Sequence, residues 1–474
     1  MGLGRALRMN PDMAALHPSS TATTLPYWPA RTHLELHDEL HARPALAVQR
    51  PSVVSYWAQW RMTPAAAEEA LAAACVACDR PAPQAGARHH LLQTPDFALK
   101  YERHGEFVSW QVSRPLLDPG EGCDDAVLQH MLREVRALDA LPPAFAAALK
   151  AEGSGQMLAA THVVLVRGHE QNLLPRSRAL MSSQLGSSID DSTPLLGSWI
   201  ADANAVVLTD LRVRADGFTR IVLLDFGLPA DQAARSAQRL CEIEAYRMLA
   251  MLGFPVAQRE SQSLADLERT LQQTVDAMAK DDATHDDARA FDTLTRLSAE
   301  VEHSAARTRY RFSATRAYQQ IVQRRLADLR ESRLDGLQTL SGFLSRRFAP
   351  AIAFCESTDV RLTDVADRIN RAVNLARVRV ETQRESTNQQ VFKALAHRQA
   401  LQLRLQQTVE GLSVVAISYY LLGLVGYLAK AAKAIPAWEA LHLQPDLVVG
   451  VAVVPVVLGV KMFLHRLHRH LGTD

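Results

Sequence analysis

One stretch limits what this chain can become more than any other: Gly411 to Ala429, GLSVVAISYYLLGLVGYLA, nineteen residues without a charge. As an α-helix rising 1.5 Å per residue it is ~28 Å long, about the thickness of bilayer hydrocarbon. A polar helix with Arg398, Arg404, Gln406 and Gln407 leads into it. After a short polar loop comes LVVGVAVVPVVLGV, Leu447 to Val460, and then a basic tail. This second run has only fourteen uncharged residues, a length that also suits a buried core helix, and its valines and Pro455 suit an edge strand. Met462-Phe463-Leu464 lengthens it if Lys461 snorkels to the headgroups, so a second span is expected. Lys393, Arg398 and Arg404 before the pair, with Lys461, Arg466 and Arg469 at its end, outweigh Lys430 and Lys433 in the loop, which Glu439 and Asp446 offset. The positive-inside bias places both termini in the cytoplasm, with Tyr427 and Trp438 in the far aromatic belt.

The 474 residues otherwise look globular, with 48% hydrophobic and 22% charged residues. A net charge of +1 gives no pull toward nucleic acid, and none is expected as a partner. The first thirty residues lack a continuous apolar core of the secretion-signal kind. Five scattered cysteines fit a reducing compartment.

Four regions are predicted: a disordered leader over 1–29, an α+β domain over 30–228, a helical stalk over 229–408, and a transmembrane hairpin with a basic tail over 409–474. In the second region VVSYWAQW (53–60) alternates as a strand, and Thr63 caps a helix running through the Ala/Glu-rich segment to Cys75. A hairpin joins Phe97–Tyr101 to Phe107–Val112 across His104-Gly105, and residues 124–141 read as an amphipathic helix. Three more strands are THVVLVRG (161–168), NAVVLTDLRV (204–213) and FTRIVLLDFG (218–227), the last two joined through Asp216-Gly217. Beyond Pro229 only helices are expected: 232–252, stopped by Gly253 and Pro255, one through 264–278, and one or two over 288–348. In the last, from Arg361, residues Leu362, Val365, Ile369, Val373, Ala376 and Val380 follow coiled-coil steps of three and four. Residues 260–303 carry eleven acids and four bases, whereas 301–350 carry ten arginines and four acids. Antiparallel packing of an acidic on a basic helix accounts for both.

Motifs with chemical potential are few. His37-Asp38-Glu39-Leu40-His41 has zincin spacing, but Asp38 stands where the motif needs Glu, and Pro44 leaves barely a turn of helix. Cys75-Val76-Ala77-Cys78 is a lone CxxC in an Ala-rich helix with His89-His90 downstream; structural cysteines explain it. His465, His468 and His470 read as juxtamembrane charge, and Asp281, Asp282, Asp286 and Asp287 as a solvated turn. No Ser-His-Asp order is evident. No catalytic, cofactor-binding or metal site is therefore assigned. Within the first span, Ser413, Ser418, Tyr420, Gly423 and Gly426 are the candidate pore or packing residues, and Glu410 would form a ring in a symmetric oligomer.

Several segments together resemble one bacterial family. They are Glu39-Leu40-His41-Ala42-Arg43-Pro44, RLCEIEAYRMLAMLGFP (239–255), RFSATRAY (311–318) and RLQQTVEGLSVVAISYY (404–420). The family is that of predicted membrane-anchored proteins called domain of unknown function 3422. The resemblance runs from about His33 to near the end and implies C-terminal anchorage without an established activity. A fainter architectural likeness is to the CorA magnesium-transporter superfamily, although Gly426-Tyr427-Leu428 stands where those channels carry Gly-Met-Asn.

The sequence thus predicts an α+β cytosolic head with an antiparallel sheet, a long helical or coiled-coil stalk, and a C-terminal pair of transmembrane helices. The expected partners are the bilayer of the cytoplasmic membrane and further copies of the chain. The expected function is a non-enzymatic scaffold or sensor. The alternatives are a CorA-like divalent cation channel and a membrane-tethered metal-dependent hydrolase.

Overall fold

A computed structural model of the protein describes residues 45–116, 136–168, 195–280, 286–432 and 444–471, with a few positions between 175 and 181. The leader, the His37–His41 motif, most of the predicted 124–141 helix, Asp281, Asp282 and the loop carrying Lys433, Trp438 and Glu439 lie outside the described residues, as do the His465, His468 and His470 side chains.

The elements in chain order are β1 (Ser52–Trp60), α1 (Pro64–Ala77), β2 (His89–Gln93), β3 (Ala98–Arg103) and β4 (Phe107–Pro115). A 3-10 turn at Ala137–Ala140 precedes α2 (Pro143–Ala148), β5 (Gln156–Arg167), β6 (Leu196–Ile200), β7 (Ala205–Thr209) and β8 (Thr219–Asp225). Then come α3 (Ala230–Met251), α4 (Gly253–Ala279), α5 (Asp287–Asp328), a two-residue β9 (Ser332–Arg333), α6 (Leu340–Arg347), α7 (Ala349–Ala432) and α8 (Pro445–Leu471). The chain divides into two compact units, residues 1–273 with 296–369 and residues 274–295 with 370–474.

The first unit is built on a nine-stranded mixed sheet in the order β2-β3-β4-β1-β5-β8-β7-β6-β9. Its pairs are antiparallel except at the centre, where β5 and β8 run parallel. Alternation along the central strands β1, β5, β7 and β8 distributes side chains between two cores rather than between core and solvent. Val53 and Trp57 of β1 enter one cluster with Ala67, Ala70 and Leu71 of α1 and Phe145 of α2. Val54, Tyr56 and Ala58 enter the other with Ala233, Leu240 and Leu249 of α3 and Val322 of α5. Thr63 caps α1 as its sequence predicts, its Oγ1 accepting from the Ala66 N–H at 3.3 Å.

Sequence patterning passed over three strands. β2 is a short polar edge, β9 has two residues, and β6 contains Gly197, over which the Leu337 and Leu208 side chains pack. The break after α3 is sharper than a helix stop, because α4 begins at once. There Thr315 of α5 donates to the Ala250 carbonyl at 3.0 Å, tying α5 to the last turn of α3. Gly253 lets it approach, since any Cβ there would strike Thr315 Oγ1.

Among the described residues a single ion pair joins the predicted acidic and basic segments, and a second acid of α4 reaches a different helix. Glu260 of α4 binds Arg307 of α5, and Glu268 takes both arms of Arg361 of α7, at 2.8 and 2.5 Å. Leu362, Val365 and Ile369, members of the predicted seam, are buried by the chain's own residues. An apolar stripe needs only a partner surface, and here the same chain supplies it.

In the second unit Ala372 and Ala376 of α7 are likewise buried, and Arg379 donates to the Met278 carbonyl at 2.5 Å. Residues 381–409 of α7 are exposed on every side. The second apolar run is a helix with Pro455 inside it, not an edge strand. It pairs with the end of α7. A Cβ at Gly426 would lie 3.4 Å from Val449 Cγ2, and Ser418, Ala429 and Val460 are buried. Both helices are long and apolar enough to cross a membrane, and only 11% and 6% of their most apolar windows are buried. That low burial distinguishes them from the core helices of the first unit.

Candidate functional site

The first unit contains a cleft of about 960 Å³. Three segments that are distant in sequence form its walls: the β1–α1 junction, the β3–β4 hairpin turn, and the facing surfaces of α4 and α5. Five arginines line it (Arg61, Arg103, Arg259, Arg307 and Arg311) against two carboxylates, Glu106 and Glu260.

Glu106, at the hairpin turn, is the hub. Arg311 donates to both of its oxygens, at 3.1 and 2.5 Å, and Trp60 Nε1 approaches at 3.4 Å. Burial by itself would raise the Glu106 carboxyl. The Arg311, Tyr318 and Trp60 donors outweigh it and hold the group below the usual carboxylate range. The Arg61 guanidinium lies over the Trp60 ring, 4.1 Å from its centroid. Arg61 has a left-handed backbone (φ 58°), and its N–H donates to the Glu106 carbonyl at 3.1 Å. Gly155 (φ 71°) packs against this bend so closely that a side chain there would strike the Trp60 carbonyl and the Met62 nitrogen.

On the opposite wall Glu260 is buried. One oxygen binds Arg307, and Oε2 has no hydrogen-bond partner among the described residues. Arg103 is 3.5 Å from Glu68 and donates to the Gly86 carbonyl at 2.9 Å. Arg61 and Arg259 are exposed and have no carboxylate partner among the described residues. The cleft therefore presents fixed positive charge, with aromatic surface from Trp60 and from Tyr310, which is 62% exposed. Apart from the Arg-rich 301–350 segment, which supplies Arg307 and Arg311, and the acidic segment that opens at Glu260, none of these residues stands out in the sequence, because the charge converges only through folding.

A second grouping was equally hidden. Ser55 Oγ lies 2.7 Å from His162 Nδ1, and His162 Nε2 lies 4.0 Å from Asp216. This has the composition of a catalytic triad but not its working parts. Ser55 is completely buried in the sheet, and Asp216 is already engaged by Arg220 and lies 3.9 Å from Arg136. Burial, with the nearby Arg220 and Arg136, drives the His162 pKa down to about 3 against the opposing pull of Asp216, which makes a weak base. The histidine, stacked on Phe218 with centroids 4.1 Å apart, ties β1 and β5 to the β7–β8 turn.

That position carries a pH prediction. The unfolded chain takes up the His162 proton near pH 6.5 and the folded chain does not until about 3, so stability falls as pH drops through that window. The slope attributable to this group is at most about 1.4 kcal/mol per pH unit. Denaturation midpoints measured just above and below pH 6 should separate less in His162→Gln than in the parent.

The residues proposed from sequence are dispersed. Cys75 is buried and 3.6 Å from His90 Nε2; burial raises both the Cys75 and Cys78 thiols, which disfavours reactive thiolates. No group of three or more metal-ligating side chains occurs among the described residues. Asp286 caps α5, accepting from the N–H groups of Ala288 and Arg289 at 3.1 and 3.2 Å. Ser418 and Gly426 lie toward the seam between α7 and α8, whereas Tyr420 and Gly423 face outward. Ser413 bonds back to the Val409 carbonyl at 2.8 Å, and Glu410 is half-buried immediately before the apolar run.

Fold and site together define an α+β protein with an arginine-lined cleft and two C-terminal helices long and apolar enough to cross a membrane. The chain belongs to the family described as Protein of unknown function (DUF3422), whose profile matches residues 28–471. No curated protein and no solved structure matches it, and the fainter likeness to the CorA superfamily gains no support.

Proposed function

We propose that the chain is a non-enzymatic scaffold or sensor held in the cytoplasmic membrane by α7 and α8, with the α+β unit and both termini in the cytoplasm. The observation that carries this reading is the continuity of α7. One helix of 84 residues includes Ile352 and Leu362, buried in the first unit, and ends in the uncharged run Gly411–Ala429. Leu412 and Tyr420, 72% and 77% exposed, belong to an outward apolar surface on the hairpin that lipid would cover. Lys393, Arg398 and Arg404 on one side of the pair, with Lys461 and Arg466 on the other, support the orientation. Self-association is part of the reading. Residues 381–409 form an exposed helix bearing Phe392, Leu395 and Leu405, and isolated helices are marginal in water.

Membranes washed at alkaline pH should retain the full chain, and a chain ending at Thr408 should be released. Protease added to the outer face of spheroplasts should leave the α+β unit intact, and light scattering of the detergent-solubilised chain should give a multiple of 52.3 kDa. A full chain recovered in the alkaline supernatant would overturn the anchorage.

A further inference from the structure

We propose that the arginine-lined cleft binds a phosphorylated small molecule of about nucleotide size. Of its five arginines, three are satisfied within the protein: Arg311 by Glu106, Arg307 by Glu260, and Arg103 by Glu68. Arg61 and Arg259 remain, exposed and without a carboxylate among the described residues. Two uncompensated guanidiniums on a concave wall concentrate positive potential where an anion can enter. Their forked donors match the oxygens of phosphate.

Arg61 is also held in place. Its left-handed backbone is fixed by the bond to the Glu106 carbonyl and by the close approach of Gly155, and its guanidinium lies on Trp60. Of the seven non-glycine residues with positive φ among the described residues only Arg61 lines the cleft, and residues so held cluster at active sites and ligand clamps. An arginine already ordered loses little freedom on binding.

Two further features bear on the rest of the ligand. At about 960 Å³ the cavity is far larger than a single inorganic ion needs and falls in the range of organic ligands. The exposed Tyr310 ring offers a face for a planar group. Phosphate and a planar ring, in a cavity of this size, together describe nucleotides and their relatives.

This inference goes beyond anchorage and does not depend on it, since the cleft lies wholly within the first unit. The test uses the full chain in detergent at near-physiological salt, titrated calorimetrically with AMP, ATP, inorganic pyrophosphate and citrate. Saturable binding of a nucleotide, tighter than that of pyrophosphate or citrate, is the expected result. Arg61→Ala combined with Arg259→Ala should weaken it about tenfold or more, the loss of charge-assisted hydrogen bonds. Both side chains are exposed, so the variant should melt with the parent. Arg61→Lys, which keeps charge but not the fork, should give an intermediate loss, and Arg235→Ala on α3, outside the cleft, none. Absence of binding by either nucleotide would overturn the proposal. So would equal binding of citrate, an unchanged affinity in the double variant, or binding confined to anionic-lipid vesicles.

Discussion

Trp110→Ala is expected to destabilise the first unit by about 4 kcal/mol, the cost of removing a large aromatic side chain from a close-packed core. Trp110 is completely buried on β4, between β1 and β3. Its ring meets Tyr101 at 4.9 Å, Phe145 at 5.0 Å and Trp57 at 6.4 Å between centroids. Its Nε1 donates to Gln59 Oε1 at 2.8 Å. The substitution therefore empties a cavity and leaves a buried amide oxygen without its donor. Trp110→Phe keeps most of the packing and should cost less than half as much. Chemical denaturation followed by far-ultraviolet circular dichroism reads both. Equal losses in the two variants would mean that the hydrogen bond, not the packed volume, dominates.

Glu106→Ala is expected to cost about 3 kcal/mol, in the range for breaking a buried ion pair from one side. The side chains of Glu106 and Arg311 are 9% and 12% exposed, so the guanidinium left behind is poorly solvated. Trp60 Nε1 and the Tyr318 hydroxyl lose the same acceptor. Replacing both partners, Glu106→Gln with Arg311→Met, should recover part of the loss, because no buried charge then stands alone. The pH dependence has a definite sign. Glu106 titrates below its ordinary value of 4.5 when folded, so its contribution is present above that value and is lost as pH falls through the lowered folded value. The parent should therefore lose more stability than Glu106→Gln as the solution is acidified. Parallel acid titrations of the two would reject the ion pair as a source of stability.

Local order was legible where a single segment carries its own cause. Thr63 and the Ala/Glu run carry the cap and the helix propensity of α1 within one segment, and the alternation of β1 is a property of nine successive residues. The charge asymmetry between 260–303 and 301–350 foretold the Glu260–Arg307 pair but little more, because Arg311, Arg316, Arg325 and Arg330 find carboxylates outside the acidic segment, at Glu106, Asp359, Glu242 and Asp202. β6 gave no such signal, since Gly197 is explained only by the leucines that pack over it from other elements. The apolar stripe at Leu362, Val365 and Ile369 was visible, but a stripe specifies only that something covers it; the chain's own helices do.

The sequence by itself determined the length and lack of charge of Gly411–Ala429, the helices (though not the short strand β9) after Pro229 and the family to which the chain belongs, since these depend on residues close together in the chain or on their order. Tertiary structure alone decided the cleft. Trp60, Glu106, Glu260 and Arg311 are strangers in sequence, and each is an ordinary residue where it stands. The β1–α1 junction, the β3–β4 turn, and helices α4 and α5 bring them to one cleft, where burial and proximity turn scattered charges into a site. The same holds for Ser55, His162 and Asp216, whose contact depends on β1 lying beside β5 and on the turn that follows β7. Electrostatic interaction falls with distance and rises with desolvation, and both quantities exist only once the chain is folded.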